Sequence, residues 1–330
     1  MGPVTGDVHV TEVVWSPDGE WLGCVVRPSP ELDTRVDAQI VVLRPDGAEL
    51  RIVSRGVSGG LTWPVRDRLV FTAGHDPDLI TSGATVWSTT PQGDGPFVIG
   101  TTRKEPRCSF SLDCAPVSTA VAVKVAEGLM TRLELRDPAS GERTRVLHES
   151  RSALDACHAA GEQFTLIQAG CDRPAEVYAG LPGKLNRLSD HGADLEGVRF
   201  GAGEEFMWTA PDGVALDGVL IRPAGARAEP LPAVVVPHGG PYGRSVLGLE
   251  LGWHAWGTWL AGAGYVALLP NYRGRSRSRA RLRSGGGRRR RWDRTVGCAL
   301  HGGRGRRARD RRSWAPVHRG LEPRSSPPRR

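Results

Sequence analysis

Along the first two hundred residues, apolar positions come in short alternating bursts split by polar turns. That is the period-two signature of strands with one face buried. The phrase Trp15-Ser-Pro-Asp-Gly-Glu-Trp-Leu-Gly-Cys-Val reads as a turn followed by a strand. Related phrases open at Trp63 (WPVRDRLVFT), Phe110 (FSLDCAPVSTAVAV) and Cys157 (CHAAGEQFTLIQ), at spacings of 48, 47 and 47 residues. Each unit offers further short strands, at Gln39–Leu43, Thr85–Ser88, Arg132–Leu135 and Glu176–Ala179. Polar turns such as Arg44-Pro-Asp-Gly47 and Asp137-Pro-Ala-Ser-Gly141 follow them and supply the backbone angles of tight hairpins. About four strands per 40–50-residue repeat is the pattern of a β-propeller blade. A sandwich with regular hairpins is the alternative, and the constant period favours the propeller. Four blades make a small ring, and an unclosed one leaves strand edges unpaired.

The pattern changes near residue 205. Phe206–Gly213 followed by Val214–Arg222 reads as a hairpin around Asp212-Gly213. Ala224–Pro230 resembles a linker. Ala233-Val-Val-Val-Pro237 is a continuous apolar run, as expected of a parallel strand covered on both faces. Residues 249–262 have helical length, with Trp253, Trp256 and Trp259 spaced by three, and Gly262 and Gly264 can stop that helix. Tyr265-Val-Ala-Leu-Leu-Pro270 is a second buried strand. Strand, helix, strand is one βαβ unit. Between its first strand and its helix sits His238-Gly-Gly-Pro-Tyr-Gly243.

Composition sharpens this division. The 330 residues carry a net charge of +8, with 43 Gly and 25 Pro, which suits a turn-rich β protein and excludes a coiled coil. The charge is uneven. Residues 275–330 hold 20 Arg, no Lys and three acids (Asp293, Asp310, Glu322), so this tail is +17 and residues 1–274 are −9. No apolar run reaches the roughly 18 residues of a membrane span. The first residues lack the basic-then-apolar pattern of a signal segment. The six cysteines (24, 108, 114, 157, 171 and 298) form no C-x-x-C pair. A reduced, cytoplasmic location is the expectation. His75 with Asp76 and Asp78 is the nearest approach to a metal cluster and reads as a solvated turn.

A glycine-rich loop at the carboxyl end of a buried strand lets backbone N–H groups point into a crevice. In α/β-hydrolases such a loop supplies one donor of an oxyanion hole. The repeats with WSPDG, the hairpin TAPDGVALDGVLIRP, the loop VVVPHGGPYG and the strand YVALLPNYRG, in that order, resemble the prolyl oligopeptidase family of serine peptidases. The nearest types are acylaminoacyl-peptidase-like and dipeptidyl-peptidase-like. The resemblance runs from about Val13 to Gly274. It implies a β-propeller (residues 1–204) gating an α/β-hydrolase domain whose first part is residues 205–274. It also implies cleavage of short peptides or acyl-peptides through an acyl-enzyme, without cofactor or metal. By the same resemblance the backbone of Gly239 or Gly240 is the oxyanion donor, and His238 shapes the loop.

The rest of a serine hydrolase does not follow. Its nucleophile elbow, G-x-S-x-G, then an acid and a histidine, are expected after Asn271-Tyr-Arg-Gly274. Residues 275–330 contain no G-x-S-x-G. Ser276 and Ser278 lack the second glycine, and no apolar strand flanks His301 or His318. The literal match Gly56-Val-Ser-Gly-Gly60 sits between propeller strands, ahead of the hydrolase domain and with no helix after it, and reads as chance. The catalytic triad is therefore expected to be incomplete. The residues after Gly274 lack Lys, Ile, Tyr, Phe, Asn, Gln and Met, the composition of a GC-rich gene read out of frame. Written with GC-rich codons of our choosing, Pro316–Gly320 becomes Arg-Ser-Thr-Gly-Gly when moved by one nucleotide. The expectation is a partial propeller of about four blades, an incomplete α/β-hydrolase domain, and a disordered tail (275–330) left by a frameshift. The opposing reading is a binding module. In it a partial propeller carries a genuine basic tail that neutralises nucleic-acid phosphates.

Overall fold

The computed structural model describes residues 8–31, 34, 37–74, 84–94, 97–98, 109–112, 119–160, 162–226, 230–239, 243–249 and 256–271. His75, Asp76, Asp78, Gly240, Trp253 and residues 272–330 therefore lie outside the description, together with the serines and histidines of the tail.

Four four-stranded antiparallel sheets follow one another along the chain, each a simple meander. The first comprises β1 (His9–Trp15), β2 (Leu22–Arg27), β3 (Gln39–Leu43) and β4 (Arg51–Arg55). The second comprises β5 (Val57–Val65), β6 (Arg68–Gly74), β7 (Ala84–Thr89) and β8 (Phe97–Val98). The third comprises β9 (Ser109–Leu112), β10 (Val121–Glu127), β11 (Met130–Arg136) and β12 (Arg143–Ser150). The fourth comprises β13 (Ala153–Ala160), β14 (Gln163–Ala169), β15 (Glu176–Leu181) and β16 (Lys184–Arg187). Trp15, Trp63, Phe110 and Cys157, which open the repeated phrases, each fall in the first strand of a sheet. The four expected mid-repeat strands are the third strands, β3, β7, β11 and β15. This succession is that of a propeller-like domain.

The apolar alternation has a direct physical cause: successive residues of a strand face opposite neighbours. Leu69, Phe71 and Ala73 of β6 pack with Val25, Ile40 and Val42 of the first sheet. Val70, between them, packs with Val86 and with Val121, Val123 and Val125 of the third sheet. Ala122, the intervening residue of β10, joins Leu133 and Leu147 against Leu154, Phe164 and Leu166 of the fourth. The second and third sheets thus each lend one set of side chains to the preceding core and the alternate set to the next.

A fifth sheet has a different plan. Its order is β17 (Ala202–Thr209), β18 (Ala215–Arg222), β20 (Val266–Asn271), β19 (Ala233–Val235). The first two form the expected hairpin. β18 pairs antiparallel with β20, whereas β19 and β20 are parallel. Helix α1 (Trp256–Gly262) lies between β19 and β20 in sequence, which completes the expected βαβ unit. Its Ala261 is buried with Val219, Ile221 and Ala267. A Cβ on Gly257 would stand 2.9 Å from Ile221 Cδ1, so the helix rides close on the sheet. Leu129, at the tip of the β10–β11 turn, is buried in the same cluster.

Three expectations need correction. The helix was expected from residue 249, but Leu249 is not helical: its amide donates to Gly170 O (2.6 Å), and Ala153 N donates to Leu247 O (2.8 Å). These bonds to the fourth sheet hold the 247–249 segment extended. Ala233–Pro237 was expected to be covered on both faces, yet Val235 is 40% exposed, and among the described residues β19 is the edge strand. Cover falls on the inner strand β20, where Val266 and Ala267 are buried. Finally, the G-x-S-x-G match at Gly56–Gly60 does not lie between strands. It runs into β5, where Gly59 and Gly60 have positive φ and the Gly60 and Leu61 amides donate to the Glu12 carboxylate.

Candidate functional site

The His238 loop begins at the carboxyl end of β19. Val236 N still donates to Leu268 O, extending the parallel ladder by one bond. After Pro237 the chain leaves the sheet. His238 is half-buried, and its Nδ1 lies 3.1 Å from Gly239 O. Gly239 is exposed, and among the described residues nothing lies within 4 Å of where a Cβ would stand. A Cβ on Gly243 would lie 2.9 Å from Gly239 O and 3.1 Å from His238 Nδ1. The far end of the loop therefore returns against its start, and only glycine fits there. His238 and Gly239 are thus brought together at the end of a parallel strand, and the third expected site residue, Gly240, lies outside the described residues.

Two further sets of residues fix the segment that follows, and sequence patterns alone did not single them out. Asn271, the last residue of β20, is buried. Its Oδ1 accepts from Ser245 N (2.8 Å), while its Nδ2 donates to Ser245 O (3.0 Å) and to Asp217 Oδ1 (2.8 Å). Asp217 is itself only 3% exposed. One side-chain amide thereby mimics a strand partner for Ser245 and ties it to β18. Arg244 reaches the third sheet, donating from Nη1 to Gly128 O and Met130 O, both at 3.0 Å, and from Nη2 to Thr131 Oγ1. The available signal was the Asn that opens Asn271-Tyr-Arg-Gly274 directly after an apolar strand. Such an Asn has no reason to be buried unless its amide is bonded.

A separate cleft of about 290 Å³ opens between the first two sheets, lined among others by Asp18, Trp21, Arg51, Trp63 and Arg66. The Arg44 and Arg51 guanidinium carbons lie 4.0 and 4.8 Å from the Trp21 ring centroid. Asp18 is held below the ordinary carboxylate range by the Ser16 hydroxyl, then by the Glu20 amide and the Arg66 charge. These contacts pair polar groups of the cleft with one another, and among the described residues none of the His238 loop is in its lining.

No protein-family model matches the chain, and neither does any curated protein. Solved structures do. A puromycin-hydrolyzing peptidase of Mycobacterium tuberculosis matches with a TM-score of 0.61 at 21% identity, over 81% of this chain and 42% of that one. The acylaminoacyl peptidase of Pyrococcus horikoshii matches with a TM-score of 0.61 at 18% identity, over 80% of this chain and 40% of that one. A puromycin hydrolase complexed with PGG gives 0.59 at 18% identity, over 82% of this chain and 43% of that one. The chain spans about two fifths of the length of these structures. At such identities the likeness is one of fold, and it extends through most of this chain.

Proposed function

We propose that residues 1–274 are the propeller-like blades (1–204) and the opening part of an α/β-hydrolase domain (205–274) of a serine peptidase of the prolyl oligopeptidase type. The observation that carries this reading is the placement of the His238–Gly239 loop. It leaves the carboxyl end of a parallel strand, with Asn271 ending the adjacent parallel strand. Ligands of open α/β sheets sit outside the carboxyl ends of such strands. The fold likeness to peptidases named for puromycin and acylaminoacyl substrates supports the same reading.

In this proposal the backbone N–H of Gly239 or Gly240 donates to the oxygen of the scissile carbonyl as it gains negative charge. A donor of this kind is worth about 10²–10³ in rate. Among the described residues, none stands within 4 Å of where a Gly239 Cβ would be, which is consistent with approach of a substrate carbonyl to the main chain. Substrates are short peptides or acyl-peptides. Attack would require a serine on a strand-to-helix elbow, a histidine to take its proton, and an acid to orient that histidine. Residues 275–330 hold no such elbow. We read them as a frame change after Gly274, so the 330-residue chain does not turn over substrate.

A fluorophosphonate probe tests both halves. The 330-residue chain is expected to remain unlabelled. A version whose gene is returned to the other frame after codon 274 is expected to be labelled on a single serine. Labelling of the 330-residue chain would overturn the inactive reading. An unlabelled but folded frame-restored chain would overturn the peptidase reading.

A further inference from the structure

We propose that Arg244 is the positioning residue of the His238–Gly239 loop, coupling that loop to the third sheet so that its geometry depends on docking of the blades. The assignment rests on the reading of the loop given above, and the observations behind it are independent of any catalysis. Segment 243–249 is neither helix nor a strand of any sheet, so its backbone groups must find partners elsewhere. It is gripped at consecutive residues by different partners. Ser245 is held by the Asn271 amide on β20. Arg244 is held by three acceptors on the β10–β11 turn, the carbonyls of Gly128 and Met130 and the hydroxyl of Thr131.

That turn is itself anchored in the fifth sheet. Leu129, between the two carbonyls, is 2% exposed and packs with Val219, Ile221 and Ala267, and Thr131 is fully buried. Leu247 and Leu249 then bond to Ala153 and Gly170 of the fourth sheet region. Gly243, immediately before Arg244, is the residue that returns against Gly239 O and His238 Nδ1. If the turn withdrew from the fifth sheet, Arg244 would lose these three acceptors together, and the hold on the segment nearest Gly243 would weaken, while Asn271 still held Ser245. A planar guanidinium can serve three acceptors spread over the turn, and a lysine ammonium cannot reproduce that fork.

Amide hydrogen exchange on the full 330-residue chain tests this without needing activity, so its outcome is separate from that of the probe experiment. In Arg244→Ala, exchange in peptides covering 230–239 and 243–249 is expected to rise about tenfold to a hundredfold, the range for losing charge-assisted hydrogen bonds. Peptides from β2 and β3 should be unchanged. Arg244→Lys should recover little of the protection, whereas added ethylguanidinium should restore it in the alanine variant. Thr131→Val, a milder change at the far end, should raise exchange in 243–249 by less, which keeps the test open if the alanine variant does not fold. Unchanged exchange in 230–239 and 243–249, a rise spread over every sheet, or no rescue by ethylguanidinium would each overturn the proposal.

Discussion

Arg132, Glu134 and Arg136 alternate along β11 in the pattern of a solvated strand face. They lie opposite Val125, Val123 and Val121 and so share the face that packs on the second sheet. Glu134 is fully buried and Arg136 is 2% exposed. Arg136 donates from Nη2 to Glu134 Oε2 (2.8 Å) and from Nη1 to Gly141 O (3.0 Å), and Arg132 Nε donates to Glu134 Oε1 (3.1 Å). Alternation alone could not reveal this, because a charged row is buried only when its charges satisfy one another. Arg136→Ala removes the hydrogen bonds to Glu134 Oε2 but leaves Arg132 (3.1 Å) and Arg143 (3.4 Å) on Oε1, and should cost about 1.5–3 kcal/mol in urea unfolding. Replacing both Arg136 and Glu134 by Met removes the buried carboxylate as well and should cost less. Glu176 is the second buried carboxylate with a specific role. Burial pushes its pKa up, but the Ser189 hydroxyl, the His191 and Gly192 amides and the His191 charge outweigh that and hold it below the usual range. A lowered folded pKa adds stability that is fully present above the unfolded pKa and is lost as pH falls through the folded one. The urea midpoint should therefore fall as pH drops below about 4–5, and Glu176→Gln should flatten that dependence.

At the scale of elements, the strands and their register with the repeat were legible because packing of sheet on sheet imposes the period-two code on every inner strand. What misled was edge position and partner choice. The run Ala233–Pro237 has the composition of a covered strand, but cover comes from neighbours, and β19 has a strand on one side only among the described residues. The apolar 249–262 stretch has helical length, but bonds to the fourth sheet take Leu249 out of the helix. Trp256 and Trp259 stand 59% and 70% exposed on α1, and Gly257 and Ala261 provide its buried side. Small residues, not the tryptophans, let this helix approach the sheet. Similar economy operates at Gly218. There Phe206 lies across the strand from the missing side chain and stacks on Trp208, with centroids 5.0 Å apart. A Cβ at Gly218 would meet Phe206 Cε1 at 2.6 Å and Leu269 O at 2.7 Å. Gly218→Ala should destabilise the fifth sheet by about 1–3 kcal/mol and change the near-UV circular dichroism of the stacked pair. An unchanged spectrum and midpoint would contradict this packing.

For the whole molecule, the sequence divides more sharply by composition than by pattern. Residues 1–274 are acidic and alternate as strands. The following 56 are arginine-rich and follow neither period. The described fold ends at Asn271, at the close of a strand whose parallel neighbour leads into the His238 loop. The loop stands out in the sequence as a candidate because glycines directly after an apolar strand free backbone N–H groups at its carboxyl end. Its supports, Arg244 and Asn271 with Asp217, were not legible, since their partners lie 26 to 116 positions away. The most direct test of the account is the nucleotide sequence from codon 265 to several hundred bases past the stop. The account predicts that another frame, opening near codon 275, encodes G-x-S-x-G followed by an Asp and a His. If no frame there encodes them, the arginine-rich tail is genuine, the peptidase reading fails, and salt-dependent nucleic-acid binding becomes the property to measure.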